Sequence, residues 1–201
     1  PRSVCHHQAY TYVGCKGQVD RIDESSRVRQ GFITLQGNVK SVRVSYDALY
    51  VLVRQACGTF SIQIHKLTGN LIRSFVTEAS SRSEYFRRDF KLGILPENII
   101  VIAYSGQLVL YSPTGELLSR TPCELCTGEC IGMVIVGDDS VVLSVRDSNI
   151  VFRIDVVSGE VMWTSKHAKV PEGVVCYRNR YVLVTNCNPD TWISILDADT
   201  G

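Results

Sequence analysis

Apolar residues recur along the chain in short blocks, and those blocks repeat. Four segments share one ending, an alternating apolar stretch, a Thr/Ser-Gly turn and a second short apolar stretch. They are Ser61-Ile62-Gln63-Ile64-His65-Lys66-Leu67-Thr68-Gly69, Leu108-Val109-Leu110-Tyr111-Ser112-Pro113-Thr114-Gly115, Val151-Phe152-Arg153-Ile154-Asp155-Val156-Val157-Ser158-Gly159 and Ile193-Ser194-Ile195-Leu196-Asp197-Ala198-Asp199-Thr200-Gly201. The glycines lie 46, 44 and 42 residues apart. A degenerate fifth copy, Val19 to Ser26, lies 43 residues before Gly69 when Ser26 is placed at the glycine position. A period near 44 is the signature of a repeat architecture.

Each period carries a further apolar run upstream: Leu49 to Val53, Ile99 to Ala103, Val141 to Val145 and Tyr181 to Thr185. These runs are short, free of proline and rich in Val, Ile and Tyr, which favours strands over helices. Another short run precedes each of them, and one follows each of the first three turns. Four short antiparallel strands per period make the blade of a β-propeller, so the expected fold is all-β. The turn glycines then have a mechanical role, supplying positive φ between the third and fourth strands of a blade.

At about 44 residues per blade, the 201 residues supply about 4.5 blades of one domain. The approximate blades are 1–39, 40–90, 91–129, 130–170 and an incomplete 171–201. Propellers close with about four to eight blades, so a piece of a six- or seven-bladed ring is expected. The chain starts at Pro1, and the start of the gene product is expected to lie outside it.

Composition narrows the functional classes. Apolar residues make up 45% and charged residues 20%, which excludes disordered and collagen-like chains. No apolar run approaches the roughly 18 residues of a spanning helix, so no membrane partner is expected. Net charge is +1, but residues 1–91 hold 14 Lys/Arg against 7 Asp/Glu, and residues 92–201 hold 7 against 13. A basic first half beside an acidic second half admits RNA as an alternative partner. The eight cysteines belong to a chain long enough to fold without disulfides, and no Asn-x-Ser/Thr sequon is present. Reduced thiols and a cytoplasmic location are expected.

Two local features carry candidate chemistry. Cys123-Glu124-Leu125-Cys126-Thr127-Gly128-Glu129-Cys130 puts two thiols at C-x-x-C spacing and a third four residues on, a partial set for tetrahedral zinc. A fourth ligand would have to come from His167, Cys176 or Cys187 in other blades. A redox pair of Cys123 and Cys126, or incidental loop cysteines, are the competing readings. The second feature is the long connector Thr77 to Lys91, with Ser80-Ser81-Arg82-Ser83-Glu84-Tyr85-Phe86-Arg87-Arg88-Asp89-Phe90-Lys91. Arg82, Tyr85, Phe86, Arg87, Arg88 and Lys91 are the residue types enriched at interaction hot spots and suited to stacking on RNA. In the competing reading Tyr85, Phe86 and Phe90 pack the loop onto its blade. No G-x-S-x-G, H-E-x-x-H or Walker loop occurs, and His6-His7 lies close to the first residue. No catalytic residue, cofactor or small-molecule substrate is assigned.

The stretches Ile154 to His167, Pro171-Glu172-Gly173-Val174 and Tyr181-Val182-Leu183-Val184-Thr185-Asn186 resemble the C-terminal propellers of invertebrate tripartite-motif proteins, relatives of the NHL-repeat propeller. The usual Asp-x-x-Asn-x-Arg stretch of NHL blades appears only as an echo at Arg146 to Arg153. In that family the propeller follows RING, B-box and coiled-coil segments that carry ubiquitin transfer. The resemblance implies a non-catalytic protein-recognition end that selects a partner or substrate for a ligase. A distant alternative is the quinoprotein propeller, because Asp155 to Trp163 is similar to its tryptophan-docking repeat. Only one copy has the indole, and Trp163 is then a residue packing one blade on the next.

Overall fold

The computed structural model describes residues 3–80, 90–104, 106–127, 130–188 and 191–201. Among these residues there are strands and short 3-10 turns and no α-helix, so the expected all-β class holds. The chain divides into two compact units, Pro1–Glu84 and Tyr85–Gly201.

The first unit is a single antiparallel sheet in sequence order: β1 (Ser3–His7), β2 (Tyr10–Asp23), β3 (Arg29–Ser45), β4 (Ala48–Arg54), β5 (Thr59–Lys66) and β6 (Leu71–Ser80). The periodicity places a blade boundary near residue 39, yet β3 runs through it. Its first part pairs with β2, from Ile22↔Arg29 to Lys16↔Asn38, and its second part pairs with β4, from Asn38↔Arg54 to Ser45↔Ala48. One strand is thus the last of one blade and the first of the next. The two pairings overlap at Asn38, next to Gly37, where φ is +130° and an added Cβ would stand 2.5 Å from the Arg54 carbonyl oxygen. Only a residue without a side chain lets the backbone turn that close to β4. Val19, Val39, Val42, Leu49, Val51 and Val53 form the fully buried core beneath this crossing.

The second unit holds three sheets. The first is β7 (Lys91–Ile94), β8 (Ile100–Tyr104), β9 (Gln107–Tyr111) and β10 (Leu117–Pro122). The second is β11 (Cys130–Val136), β12 (Ser140–Val145), β13 (Ile150–Asp155) and β14 (Val161–Ser165). The third has three strands, β15 (Pro171–Tyr177), β16 (Tyr181–Asn188) and β17 (Thr191–Asp197). The first strands of successive sheets lie side by side, β7 against β11 and β11 against β15. Residues 100–103, 108–109, 141–143 and 151–152, on the middle strands, are completely buried. A sheet covered on both faces needs apolar residues at every position, which is why these strands read as continuous apolar runs and not as alternations.

Successive sheets of this unit are also joined by hydrogen bonds from an outer strand to the next turn. Thr121 of β10 donates its hydroxyl to the Val156 carbonyl at 2.9 Å, and Trp163 of β14 donates its indole N–H to the Ala198 carbonyl at 2.8 Å. Trp163 packs with Val182, Val184, Leu196 and Ala198, so it joins one sheet to the next. Arg153, buried, reinforces the same step by donating to Ser140 Oγ, the Ala198 carbonyl and Asp199 Oδ1, each at 2.9 Å.

The turns that receive these bonds are held by an aspartate. Asp155 Oδ1 accepts the backbone N–H of Val157 and Ser158 and the Ser158 hydroxyl, and Asp197 Oδ1 does the same for Asp199 and Thr200. Asp23 repeats the arrangement with Ser25 and Ser26. Counted from the aspartate, the glycine place in that degenerate copy falls on Arg27, at φ +56°, and not on Ser26. These bonds stabilise the ionised form. Hydrogen bonds from Ser25 and Ser26 hold Asp23 at about 2, and backbone N–H groups hold Asp155 and Asp197 below the usual carboxylate value.

Two outcomes follow for stability. Gly37→Ala should destabilise the protein by about 2 kcal/mol or more in urea unfolding, whereas Gly31→Ala, with nothing within 4 Å of its added Cβ, should change it by under about 0.5 kcal/mol. Because the three turn aspartates have folded pKa values below their unfolded ones, their contribution is complete above about pH 4 and disappears as pH falls toward 2. Stability measured across that interval should fall less steeply in an Asp23→Ala, Asp155→Ala, Asp197→Ala triple variant than in the parent.

Candidate functional site

Strand order gathers the connectors of the second unit at one end of its sheets. The end of β10, the start of β11, the β12–β13 turn and the start of β15 all lie there. Here the C-x-x-C segment leaves β10 as a 3-10 turn, Glu124–Thr127. The turn is docked on Gly106, which joins β8 to β9: Cys123 N–H donates to the Gly106 carbonyl at 2.8 Å and Gly106 N–H to the Cys126 carbonyl at 3.0 Å. Cys126 N–H closes the turn on the Cys123 carbonyl at 2.9 Å.

In this conformation the Cα atoms of Cys123 and Cys126 stand 5.3 Å apart, within bridging reach, and the two form a disulfide. The other six cysteines form no disulfide, so it is this pair alone to which the expected reduced state does not extend. Nor do the three cysteines converge on a metal position. Cys130 sits on β11 with its Sγ toward the Gly132 carbonyl at 3.7 Å, and no group of three His, Cys, Asp or Glu among the described residues is arranged to hold an ion. Cys123, Cys126 and Cys130 are instead buried in one apolar cluster with Leu108, Leu143 and Phe152.

Beside the disulfide, a cleft of about 460 Å³ opens between the first and second sheets of this unit. Pro122, Cys123, Glu124 and Leu125 form one wall, and Ile154, Gly159 and Val161 form the other. Its width is set by the interlock described above, since a Cβ on Gly159 would lie 2.6 Å from Thr121 Cγ2 and would drive the walls apart. Most of the lining side chains are apolar, Glu124 adds a carboxylate, and the remaining polar surface is backbone, a composition suited to a few side chains of a partner.

Of the expected contact residues, Arg82, Tyr85, Phe86, Arg87 and Arg88 lie outside the described residues. Lys91 opens β7, half-buried and opposite Ala103. Phe90 is buried and stacks on Tyr104, with ring centroids 5.1 Å apart and planes at 12°, so this end of the connector is packed down. The cleft was missed from the sequence because its walls come from residues 29 to 39 positions apart. The small residue at 159 was visible, but its turn alone explained it.

In the first unit, polar groups cluster on the β2–β3 hairpin. Asp20 is buried and accepts from Gln18 Nε2 at 2.6 Å, from Arg29 Nε at 2.8 Å and from Arg29 Nη2. Arg21 is stacked between the rings of Tyr10 and Phe32, 4.7 Å from each centroid. Arg43 donates to the Val42 carbonyl at 2.9 Å, and burial pushes its pKa down. Two of the cations that make this half basic, Arg21 and Arg29, are therefore engaged in holding the hairpin.

Comparison with solved structures places the β-propeller fold over nearly the whole chain. Hydrazine synthase of Kuenenia stuttgartiensis is similar at a TM-score of 0.76 and 13% identity, covering 94% of this chain and 68% of that one. The WD40 domain of Neurospora crassa Pan2 gives 0.72 and 10% identity over 98% of this chain and 62% of that one. The WD40 propeller of Doa1 gives 0.62 and 16% identity over 96% and 67%. At such identities the likeness is one of fold. No protein-family model and no curated protein sequence matches the chain.

Thiol counting checks the cysteine assignment. Alkylation of the denatured, unreduced protein should add six groups by mass, and alkylation after reduction should add eight. Eight groups without reductant would remove the disulfide from the cleft wall.

Proposed function

We propose that the chain is a protein-recognition propeller that holds a segment of its partner in the cleft between β10 and β14, with no catalytic step of its own. The observation that carries this reading is the cleft itself, a recess lined mainly by apolar side chains, walled by two consecutive sheets and bridged by the Thr121 bond to Val156. The β-propeller fold supports it, since such rings present their connectors as binding surfaces. The resemblance to tripartite-motif propellers suggests a partner chosen for ubiquitin transfer by segments elsewhere in such proteins, in the cytoplasm. RNA recognition through the basic first half is less favoured, because Arg21, Arg29 and Arg43 are already occupied by rings, a carboxylate and a carbonyl.

The test uses two probes on the same protein. Peptides selected from a displayed random library should compete with one another for one site and lose about tenfold or more in affinity with Val161→Arg, whose exposed side chain lines the cleft. A mixed-sequence single-stranded RNA should bind weakly and without a steep salt dependence. Tight RNA binding that falls steeply with salt, together with peptides indifferent to Val161→Arg, would replace this reading with the RNA one.

A further inference from the structure

The disulfide ties together the two ends of the turn that carries one wall of the cleft. Pro122, Cys123, Glu124 and Leu125 make that wall, and the bridge closes from Cys123 onto Cys126, one residue beyond it. Three backbone bonds hold the same turn: Cys123 N–H to the Gly106 carbonyl, Gly106 N–H to the Cys126 carbonyl and Cys126 N–H to the Cys123 carbonyl. Each of the three has a bridged cysteine as donor or acceptor. The two cysteines are 3% and 2% exposed, packed in the apolar cluster with Leu108, Leu143 and Phe152.

Two thiols cannot lie as close together as two bonded sulfurs, and in a close-packed interior the extra space has to come from a neighbour. Leu108, Leu143 and Phe152 sit on β9, β12 and β13, each paired on both sides, so these strands hold their places. The part that can give is the turn, where Pro122 and Glu124 are exposed. Breaking the bridge therefore displaces the cleft wall. Of the two cysteines, Cys123 belongs to that wall and Cys126 does not, so the cleft is the route to the bond. Because the other six cysteines form no disulfide, a reductant acts on this bond alone.

We propose that Cys123 and Cys126 form a redox switch on partner binding: the disulfide keeps the wall in its binding position, and the dithiol form releases the wall and the partner with it. The switch rests on the cleft as the recognition site and adds its regulation. The co-reactant is a dithiol. One of its thiolates attacks Cys123 Sγ from the cleft, the bond to Cys126 breaks, and Cys126 Sγ leaves with the electron pair and takes up a proton. The second thiol of the reductant then attacks the mixed disulfide, which closes the reductant's own disulfide and frees Cys123 as a thiol. Two electrons and two protons have passed from reductant to protein. Because a segment in the cleft binds the disulfide form more tightly, its presence favours that form by the same factor.

The experiment measures a library-selected peptide against the full chain, oxidised and then reduced with dithiothreitol. The oxidised form should bind about tenfold or more tightly. Thiol alkylation along a series of reduced-to-oxidised dithiothreitol ratios gives the midpoint of the couple. Saturating peptide should move that midpoint by about 30 mV or more in the reducing direction, which is the same tenfold converted for two electrons. Reduction should also quicken amide exchange at Cys123, Cys126 and Gly106 and leave the middle strands protected. A Cys123→Ala, Cys126→Ala variant should bind at the reduced level with or without dithiothreitol, and where that variant does not fold the midpoint shift of the parent decides. Equal or tighter binding by the reduced protein, or a midpoint unmoved by peptide, overturns the switch and leaves the cleft reading standing. Loss of protection throughout the middle strands on reduction also overturns it, since the effect is then unfolding. Absence of peptide binding by either form overturns the cleft reading and the switch together.

Discussion

The fold depends on the seam between successive sheets. Each sheet of the second unit is too thin to hide its own apolar residues, so its middle strands are buried only because another sheet lies against them. Burial of apolar area supplies the bulk of the stabilisation, at roughly 25 cal/mol per Å², but it has no direction and would allow the sheets to slide. The bonds from Thr121 to the Val156 carbonyl and from Trp163 to the Ala198 carbonyl supply the direction. Each needs the receiving turn in one conformation, which the Asp155 and Asp197 carboxylates impose on the backbone that follows them. Side chain, turn and sheet position are therefore coupled within each step.

The same coupling creates the cleft. A wall made of Pro122, Cys123, Glu124 and Leu125 has a set distance from a wall made of Ile154, Gly159 and Val161 because the Thr121 bond lies beneath it. The disulfide and the two backbone bonds to Gly106 then hold the 3-10 turn that forms the rim. The recess is thus built on rigid elements, which is what a recognition surface needs to bind without a large ordering cost. In the first unit equivalent rigidity comes from a different device, a strand shared by two halves of one sheet and a buried carboxylate clamped by Arg29.

Much of this was legible in the residues. The interval of about 44 between turn glycines, together with short Val/Ile-rich runs, specifies strands and turns by local chemistry alone: positive φ at glycine, β-branched side chains in extended backbone. Trp163 could be read as a packing residue because a lone indole near the end of a repeat has few other uses. Less accessible was the path of β3, since Gly37 looks like any other glycine until Arg54 is placed 2.5 Å from where its Cβ would be. The degenerate copy was misaligned by one residue for a related reason. Its aspartate, and not its serine, sets the turn, and Arg27 takes the left-handed place that glycine fills elsewhere.

What the sequence determined by itself is everything that depends on neighbours along the chain: strand positions, turn chemistry, the repeat and hence the fold class. What only the tertiary structure decided depends on residues brought together from different repeats. The pairing of Cys123 with Cys126 against a metal set is one such case, because spacing permits both and the docking of the turn on Gly106 selects the disulfide. The two-walled cleft is another, since its walls lie a repeat apart.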